Sequence, residues 1–280
     1  MTAESRPAQP PAPTRDASTV VLMRDSAAGP EIYLVKRSRT VDFMAGAHVF
    51  PGGRLDKSDA SPSACALLAA GVAGLQERLG EALSPTQAAG LFIAAIRETF
   101  EEAGLLLGRL GPGWAMEDAR KAVAGGAQFI TLMAQLDAPA LVPWVRWVTP
   151  EISPKRFDAR FFLARTPAGQ EPKVDGYEAT EGLWLTPRAA LERWQEGAMQ
   201  LAPATAKSID MLCAHASVDA ALKDAAKRPP PMAMPVVWSE GGRAFISLPG
   251  DPRHPLPDVL GGTIRRVQLE AGRYRPVPAA

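Results

Sequence analysis

The architecture of this chain follows from Arg97-Glu98-Thr99-Phe100-Glu101-Glu102-Ala103-Gly104-Leu105, which places three carboxylates on one stripe of a helix. Glu98, Glu101 and Glu102 stand at i, i+3 and i+4, where side chains meet and like charges repel by roughly 0.2–0.5 kcal/mol per pair. Gly104 is typical of the residue just past a helix end, so Glu101 and Glu102 face the negative end of the helix dipole. A divalent cation relieves both penalties, and hard oxygen ligands favour Mg²⁺ or Mn²⁺.

A glycine turn, Phe50-Pro51-Gly52-Gly53, lies upstream of this helix. Alone, the carboxylates fit a solvated acidic face as well as a metal site. Together, the two segments resemble the signature of the Nudix hydrolase family, in which a glycine turn leads to a helix with Arg-Glu, two residues, Glu-Glu, one residue and Gly. The resemblance implies an α/β fold, namely an α/β/α sandwich around a central mixed sheet, and a metal-dependent pyrophosphohydrolase.

The two halves of the signature are separated by an unusually long segment. Asp59 stands six residues after Gly53, where the family usually has Glu, and Arg97 follows 38 residues after Asp59 instead of eight. We interpret residues 57–84 as a helical insertion. Ser61-Pro62 and Ser84-Pro85 each provide an N-cap followed by proline, so the insertion is predicted to form one helix closing at Gly80, with the metal-binding helix as its second arm.

The resemblance also assigns roles to individual residues. Arg97 either binds phosphate or holds a Glu carboxylate in place, and the family pattern favours the second role. The general base comes from the helix or from the loop before the last core strand, where Glu178 and Glu181 are candidates. The predicted metal ligands are Glu98, Glu101, Glu102 and the carbonyl of Gly52. The predicted catalytic residues are Glu101, Glu102, Arg97 and Glu181, and the predicted substrate contacts are Arg37, Gly52, Gly53, Lys155 and Arg156.

A second resemblance concerns the branch of the family. Arg37-Ser38, Gly46 and the glycine turn are similar in spacing to the segment that precedes the signature in coenzyme A diphosphatases, although Asp42 stands where that pattern carries Arg. The interrupted signature and the segment 154–162 resemble the peroxisomal type of that branch. The implied reaction is cleavage of coenzyme A or acyl-coenzyme A to 3′,5′-ADP and phosphopantetheine. Two alternatives stay open: hydrolysis of NADH, ADP-ribose or another nucleoside diphosphate derivative, and a non-catalytic nucleotide sensor.

The resemblance implies a small-molecule nucleotide as the partner, and the composition argues against larger ones. The chain has 280 residues, is 46% hydrophobic and balances 31 basic against 30 acidic residues, which argues against nucleic acid or a membrane surface as a partner. Cys65 and Cys213 lack metal-ligand spacing and are interpreted as thiols in a reducing compartment. We therefore expect a cytoplasmic protein.

The chain is predicted to divide into three parts. Residues 1–18 are rich in Pro, Ala, Thr and Ser and are predicted to be a disordered tail. Residues 19–200 form the Nudix domain, with a first strand at Thr19. Residues 201–280 form a helical segment over Pro203–Ala226 and a Pro- and Gly-rich extension packed on the core. The Ala-rich arm of the insertion fits either packing on the core or formation of a homodimer.

Overall fold

The computed structural model describes residues 10–38, 44–174 and 176–278. Its strands are β1 (Thr14–Ser26), β2 (Gly29–Arg37), β3 (His48–Val49), β4 (Gly52–Arg54), β5 (Gly108–Leu110), β6 (Met133–Leu136), β7 (Val142–Val148), β8 (Arg156–Arg165), β9 (Ala179–Leu185), β10 (Met232–Ala233), β11 (Val236–Glu240), β12 (Arg243–Ser247), β13 (Arg266–Glu270) and β14 (Arg273–Pro276). Its helices are α1 (Pro62–Cys65), α2 (Leu75–Leu79), α3 (Pro85–Ala103), α4 (Met116–Ala124), α5 (Pro187–Gln195), α6 (Pro203–Leu212) and α7 (Val218–Ala225).

A mixed sheet lies at the centre, and eight of the described strands take part in it. The order is β10-β7-β8-β1-β2-β3, with β4 also paired to β1 and β9 to β2. β1 runs parallel to β8 and antiparallel to β2 and β4. This arrangement confirms the predicted α/β fold with a central mixed sheet.

Each face of the sheet is covered by helices, because the buried strands are apolar on both sides. In β1, Val20 and Leu22 belong to the cluster that includes α3, whereas Val21 and Met23 belong to the cluster that includes α5, α6 and α7. We call these the α3 face and the α5 face of the sheet. The period of two along a strand therefore decides on which face each side chain lies.

Helix α3 is fixed to the sheet at its start and along its length. Ser84 accepts a hydrogen bond from the Gln87 N–H and the Gln87 side chain bonds back to the Ser84 N–H, which is the predicted capping box. Midway, the Ser18 hydroxyl donates to the Leu91 carbonyl at 2.7 Å. The predicted apolar stripe is buried at every position: Phe92, Ile96, Phe100, Ala103 and Leu107.

The first arm of the insertion is not the single helix predicted from residue 62 to 80. It forms two short helices, α1 and α2, separated by a turn in which Gly71 and Gly74 adopt φ of 70° and 78°. Backbone pairing explains the break, because the Leu67 carbonyl accepts from the Leu136 N–H and the Ala69 N–H donates to the Leu136 carbonyl. A continuous helix would use these groups internally.

Ion pairs attach the end of the insertion to the central sheet. Glu81 accepts hydrogen bonds from Arg160 on β8 and lies 2.9 Å from Arg146 on β7. Asp158 also contacts Arg146, so two guanidinium groups are balanced by carboxylates from the insertion and the sheet.

The first strand begins earlier than predicted. β1 starts at Thr14 and not at Thr19, so residues 14–18 of the predicted disordered tail are in the sheet. Their backbone pairs with β8 from the Thr14–Arg156 pair onward, and Ser18 is fully buried. The polar composition of this segment gives no sign of the pairing, because it comes from a strand more than 140 residues away.

The segment after residue 200 is divided into two helices instead of one, and the extension forms a second sheet. The order of that sheet is β11-β12-β13-β14. Leu248 and Val267 from the extension lie in the same buried cluster as Val145 and Leu163 of the central sheet. Among the described residues, no helix is both long and apolar enough to cross a lipid bilayer.

Candidate active site

The three carboxylates occupy the last turns of α3, and a left-handed glycine ends the helix beside them. Gly104 has φ of 66°, and its N–H donates to the Phe100 carbonyl. Glu102 is buried, and the Glu98 and Glu101 side chains are 13% and 32% exposed. Glu98 and Glu102 are therefore largely withdrawn from solvent, whereas Glu101 is partly exposed.

Arg97 is the centre of a buried ionic cluster at this end of the helix. Its Nε and Nη2 donate to the two carboxylate oxygens of Asp59, each at 2.9 Å, and Nη2 also donates to the Arg54 carbonyl. Asp59 is fully buried. This bidentate ion pair joins the segment after the glycine turn to the helix that follows the insertion.

The same guanidinium orients two of the carboxylates. Nη1 of Arg97 donates to Glu98 Oε1 at 2.7 Å and to Glu101 Oε2 at 3.2 Å. With Asp59 on one side and two carboxylates on the other, its donors are directed at protein groups. These contacts support the positioning role for Arg97 that the sequence favoured over phosphate binding.

The glycine turn packs directly against the carboxylates. The Gly52 N–H donates to Glu102 Oε2 at 3.0 Å. A Cβ placed on Gly53 would lie 2.4 Å from Glu98 Oε1, closer than any side chain tolerates. Glycine at this position thus gives Glu98 the space it occupies. Both glycines therefore lie beside the carboxylates, while their roles toward metal and substrate stay predictions.

Burial and mutual repulsion make the carboxylates easier to protonate. Burial raises the pKa of Glu102 to about 8, with a further increase from the Glu98 charge, while the Gly52 N–H and the Arg37 charge act in the opposite direction. Burial likewise raises the pKa of Glu98 to about 7, against the lowering effect of Arg97. Burial also raises the pKa of Glu101. For Arg97, burial favours the neutral form, but Asp59, Glu98 and Glu101 outweigh it and raise the pKa.

The donor set fits a hard divalent cation in its chemistry. Three carboxylates are crowded into a site where burial and mutual repulsion oppose full ionisation, and a cation would remove that penalty. Among the described residues, however, no three Asp, Glu, His or Cys side chains already converge around a common point. Glu98 and Glu101 instead bond Arg97, and Glu102 bonds the Gly52 N–H. A cation would therefore have to draw the carboxylates away from these bonds.

Glu181 requires a correction, because the structure places it away from the carboxylates. It lies opposite Lys36 on the neighbouring strand, with its carboxylate 3.5 Å from Lys36 Nζ. Leu34 lies on the α5 face and Val35 lies on the α3 face. Because side chains alternate along a strand, Lys36 is on the α5 face, as Leu34 is. Glu181 is thus on the opposite side of the sheet from Glu98, Glu101 and Glu102.

Glu178, the other loop candidate, lies near the site. Its charge raises the pKa of Glu102, and its carbonyl accepts from the Ser38 N–H at the end of β2. Arg37, a predicted substrate contact, also acts on Glu102 and lowers its pKa. A register shift between Lys36 and Arg37 moves this end of β9 relative to β2.

Arg156 is engaged elsewhere in the fold. Its guanidinium donates to the carbonyl of Thr149, directly after β7, and to that of Ala12, shortly before β1. These contacts hold neighbouring chain segments together, and a role for Arg156 as a substrate contact stays a prediction. Lys155 is exposed beside it. Asp42, which bears on the branch of the family, lies outside the described residues.

The mixed sheet, the glycine turn and the carboxylate helix together define a Nudix pyrophosphohydrolase. Within that class the chain belongs to the NUDT19 Nudix domain family, whose model matches residues 11–212. The family predicted from the sequence is thereby confirmed, and the non-catalytic sensor is set aside.

Two relatives and one solved structure show the extent of the similarity. The chain is 29% identical to the acyl-coenzyme A diphosphatase NUDT19 of Xenopus laevis, over 82% of this chain and 73% of that protein. It is 30% identical to the Gallus gallus protein of the same name, over 82% and 75%. The crystal structure of a Nudix hydrolase from Alicyclobacillus acidocaldarius superposes with a TM-score of 0.59 at 30% identity, covering 75% of this chain and 96% of that one.

Removing the buried partner of Arg97 is expected to destabilise the protein strongly. Asp59→Ala leaves a buried guanidinium without its carboxylate and should lower the free energy of unfolding by about 3–5 kcal/mol, measured by urea denaturation. Asp56→Ala is the matched control, because the Asp56 side chain is 57% exposed and 3.9 Å from the same guanidinium. It should cost less than about 1 kcal/mol. Equal losses for the two variants would contradict the central place given to the Asp59 pair.

Gly53→Ala is expected to reduce hydrolysis by displacing Glu98. The added methyl group competes for the space of the Glu98 carboxylate, and we expect kcat to fall at least about tenfold, because small misplacements of reacting groups are costly. Gly125→Ala, at the end of α4 with φ of −80°, is the control and should retain activity. Unchanged kcat in Gly53→Ala would show that Glu98 is not needed where the structure places it.

Proposed function

We propose that this protein hydrolyses the diphosphate of coenzyme A or an acyl-coenzyme A, with Mg²⁺ or Mn²⁺, to 3′,5′-ADP and phosphopantetheine or its acyl derivative. The observation that carries the proposal is similarity to two acyl-coenzyme A diphosphatases, at 29–30% identity over most of the chain. The catalytic elements of the fold are consistent with it. Water adds across one P–O bond of the diphosphate, so no other co-reactant is needed.

The protein groups have separate tasks in this proposal. Glu98, Glu101 and Glu102 would hold the cations, with the Gly52 carbonyl as a further oxygen ligand. Bound cations of this kind lower the pKa of water and neutralise charge on phosphoryl oxygens. Arg97 keeps Glu98 and Glu101 in position, while Asp59 keeps Arg97 in position. Arg37, whose charge already reaches Glu102, would meet the anionic substrate.

Glu178 replaces Glu181 as the loop candidate for the general base. It is exposed at the start of β9, and its charge acts on Glu102. The same position suits a carboxylate that accepts a proton from water at the edge of the cluster. A carboxylate of α3 itself is the other candidate for this task.

The substrate panel is the direct test of the proposal. Purified protein is incubated with coenzyme A, acetyl-coenzyme A, NADH and ADP-ribose in Mg²⁺ or Mn²⁺, and the products are separated by chromatography. We expect 3′,5′-ADP from the two coenzyme A substrates, and a loss of kcat on the order of 10²-fold or more in Glu102→Gln. Glu192→Gln, exposed on α5, is the control and should match the wild type.

Other products would redirect the proposal. Cleavage of NADH or ADP-ribose in preference to coenzyme A would favour the alternative that Asp42 suggests. Full activity of Glu102→Gln would overturn the assignment of the cation ligands. Cytoplasmic residence and the homodimer remain predictions from the sequence.

The pKa values of the carboxylates predict how stability responds to pH without metal. Because the folded pKa values of Glu98 and Glu102 exceed the usual 4.5, the folded state binds more protons than the unfolded state between pH 4.5 and about 8. Stability in EDTA should therefore decline across that range as pH rises, by on the order of 1–3 kcal/mol. Mg²⁺ or Mn²⁺ should restore more stability at pH 8 than at pH 6.

Thermal unfolding of the wild type and of a Glu98→Gln, Glu102→Gln double variant checks this expectation. The difference between the two proteins isolates these carboxylates from other titrating groups. The double variant should show a flatter pH dependence and little stabilisation by metal. Identical profiles would contradict the raised pKa values.

A further inference from the structure

A cavity of about 330 Å³ lies at the edge of the central sheet, apart from the carboxylates. Trp194, Met199 and Leu201 in its wall belong to the cluster on the α5 face. A separate cavity of about 240 Å³ is lined by Asp59, Arg97 and Glu101 and belongs to the candidate active site. The edge cavity is in the size range of small-molecule sites, and the hydrolytic chemistry does not use it.

One part of the wall of the edge cavity is apolar and adaptable, and the rest is polar. Met44 and Met199 contribute unbranched thioether side chains, which adjust to irregular apolar ligands. Trp194, Leu201 and Leu269 belong to the same apolar part of the wall. Met44 has φ of 52°, in the left-handed region that a methionine adopts only at a cost. Such backbone conformations are often held at ligand sites.

The rim of the cavity is basic. Arg273 and Arg275 of β14 line it, and both are exposed. Arg273 donates to the Gly197 carbonyl at 3.1 Å, and Glu270 lies 3.8 Å from Arg275. The remaining positive charge suits an apolar ligand that is attached to an anionic carrier.

Backbone hydrogen bonds connect this cavity to the candidate active site. The Arg37 N–H donates to the carbonyl of Ala47, which lines the cavity, and the Gly46 N–H donates to the Arg37 carbonyl. The Arg37 side chain acts on Glu102. The cavity lies on the α5 face and the carboxylates on the α3 face, but both adjoin the Arg37 end of β2. A ligand that occupied both would pass around this edge of the sheet.

We propose that the edge cavity receives the acyl chain of an acyl-coenzyme A whose diphosphate lies at the carboxylates. This inference rests on the proposed function. The apolar wall takes the methylene groups, and the rim arginines face the phosphorylated carrier. A free fatty acid shares the same chain chemistry, so the experiment separates the thioester from the free acid.

The cavity predicts a dependence on chain length. Each methylene group buried should tighten binding about fourfold until the cavity is full. Isothermal titration of the hydrolysis-deficient Glu102→Gln protein with coenzyme A, butanoyl-, hexanoyl- and decanoyl-coenzyme A, and decanoate measures this directly. We expect decanoyl-coenzyme A to bind at least tenfold more tightly than coenzyme A, and more tightly than decanoate.

Ala45→Trp in the same background tests the location. Ala45 lines the cavity but is exposed, so the larger side chain fills the mouth without disturbing the core. The advantage of decanoyl-coenzyme A over coenzyme A should fall at least fivefold. Ala214→Trp, exposed after α6, is the matched control and should preserve the advantage. Arg275→Glu, which replaces a rim cation, should weaken decanoyl-coenzyme A binding several-fold.

A photoreactive acyl-coenzyme A identifies the contact independently of affinity. Crosslinking followed by peptide mass spectrometry should label residues 44–47, 194–201 or 269–275, the three segments that line the cavity. Labelling elsewhere, or a chain-length advantage that Ala45→Trp leaves intact, would overturn the proposal. Decanoate binding that Ala45→Trp blocks, without any advantage for the thioester, would also overturn it and assign the cavity to a free fatty acid.

These measurements stand apart from the test of the proposed function. Binding and crosslinking need no turnover, so a chain-length advantage located at the cavity would support the cavity even if no coenzyme A substrate were cleaved. Conversely, cleavage of every coenzyme A thioester with equal KM would retain the proposed function and overturn the acyl cavity.

Discussion

The buried pair of Arg97 and Asp59 is the interaction on which the catalytic end of this protein depends. It links two segments that lie 38 residues apart in the chain, and from it Arg97 reaches onward to Glu98 and Glu101. A buried charge without its partner is expensive, so each member needs the other. When Arg97 is held in place, Glu98 and Glu101 are held with it. The glycine turn is then positioned as well, because Gly52 and Gly53 pack directly against Glu102 and Glu98.

Local patterns in the sequence predicted the parts of this site that local physics determines. The capping box at Ser84, the left-handed Gly104 and the spacing of the carboxylates are all contained in one helix, and the structure has them. The family and the mixed α/β fold were predicted from the glycine turn and this helix together, and both are confirmed. Asp59 was placed by comparison with the family pattern, but its bond to Arg97 depends on tertiary structure.

The wrong predictions involve distant pairing. Glu178 and Glu181 looked equivalent on one loop, yet alternation along β9 and a register shift beside Arg37 separate them, and neither is visible in the sequence. The N-terminal part of β1 has a tail-like composition but is held by β8. Likewise, the first arm of the insertion has helix signals at its start, while pairing with Leu136 interrupts it. In each case a partner far along the chain outweighed the local preference.

The turn between α1 and α2 has a consequence for how this chain can vary. Its glycines Gly71 and Gly74 are exposed, whereas the two ends of the insertion are fastened, at Asp59 by Arg97 and at Glu81 by Arg146 and Arg160. Chain added between fixed ends costs little, about 0.6 kcal/mol for each doubling of a flexible loop. The turn should therefore tolerate insertions, including a grafted foreign segment. The ion pairs on either side of it would keep such insertions from displacing the carboxylates.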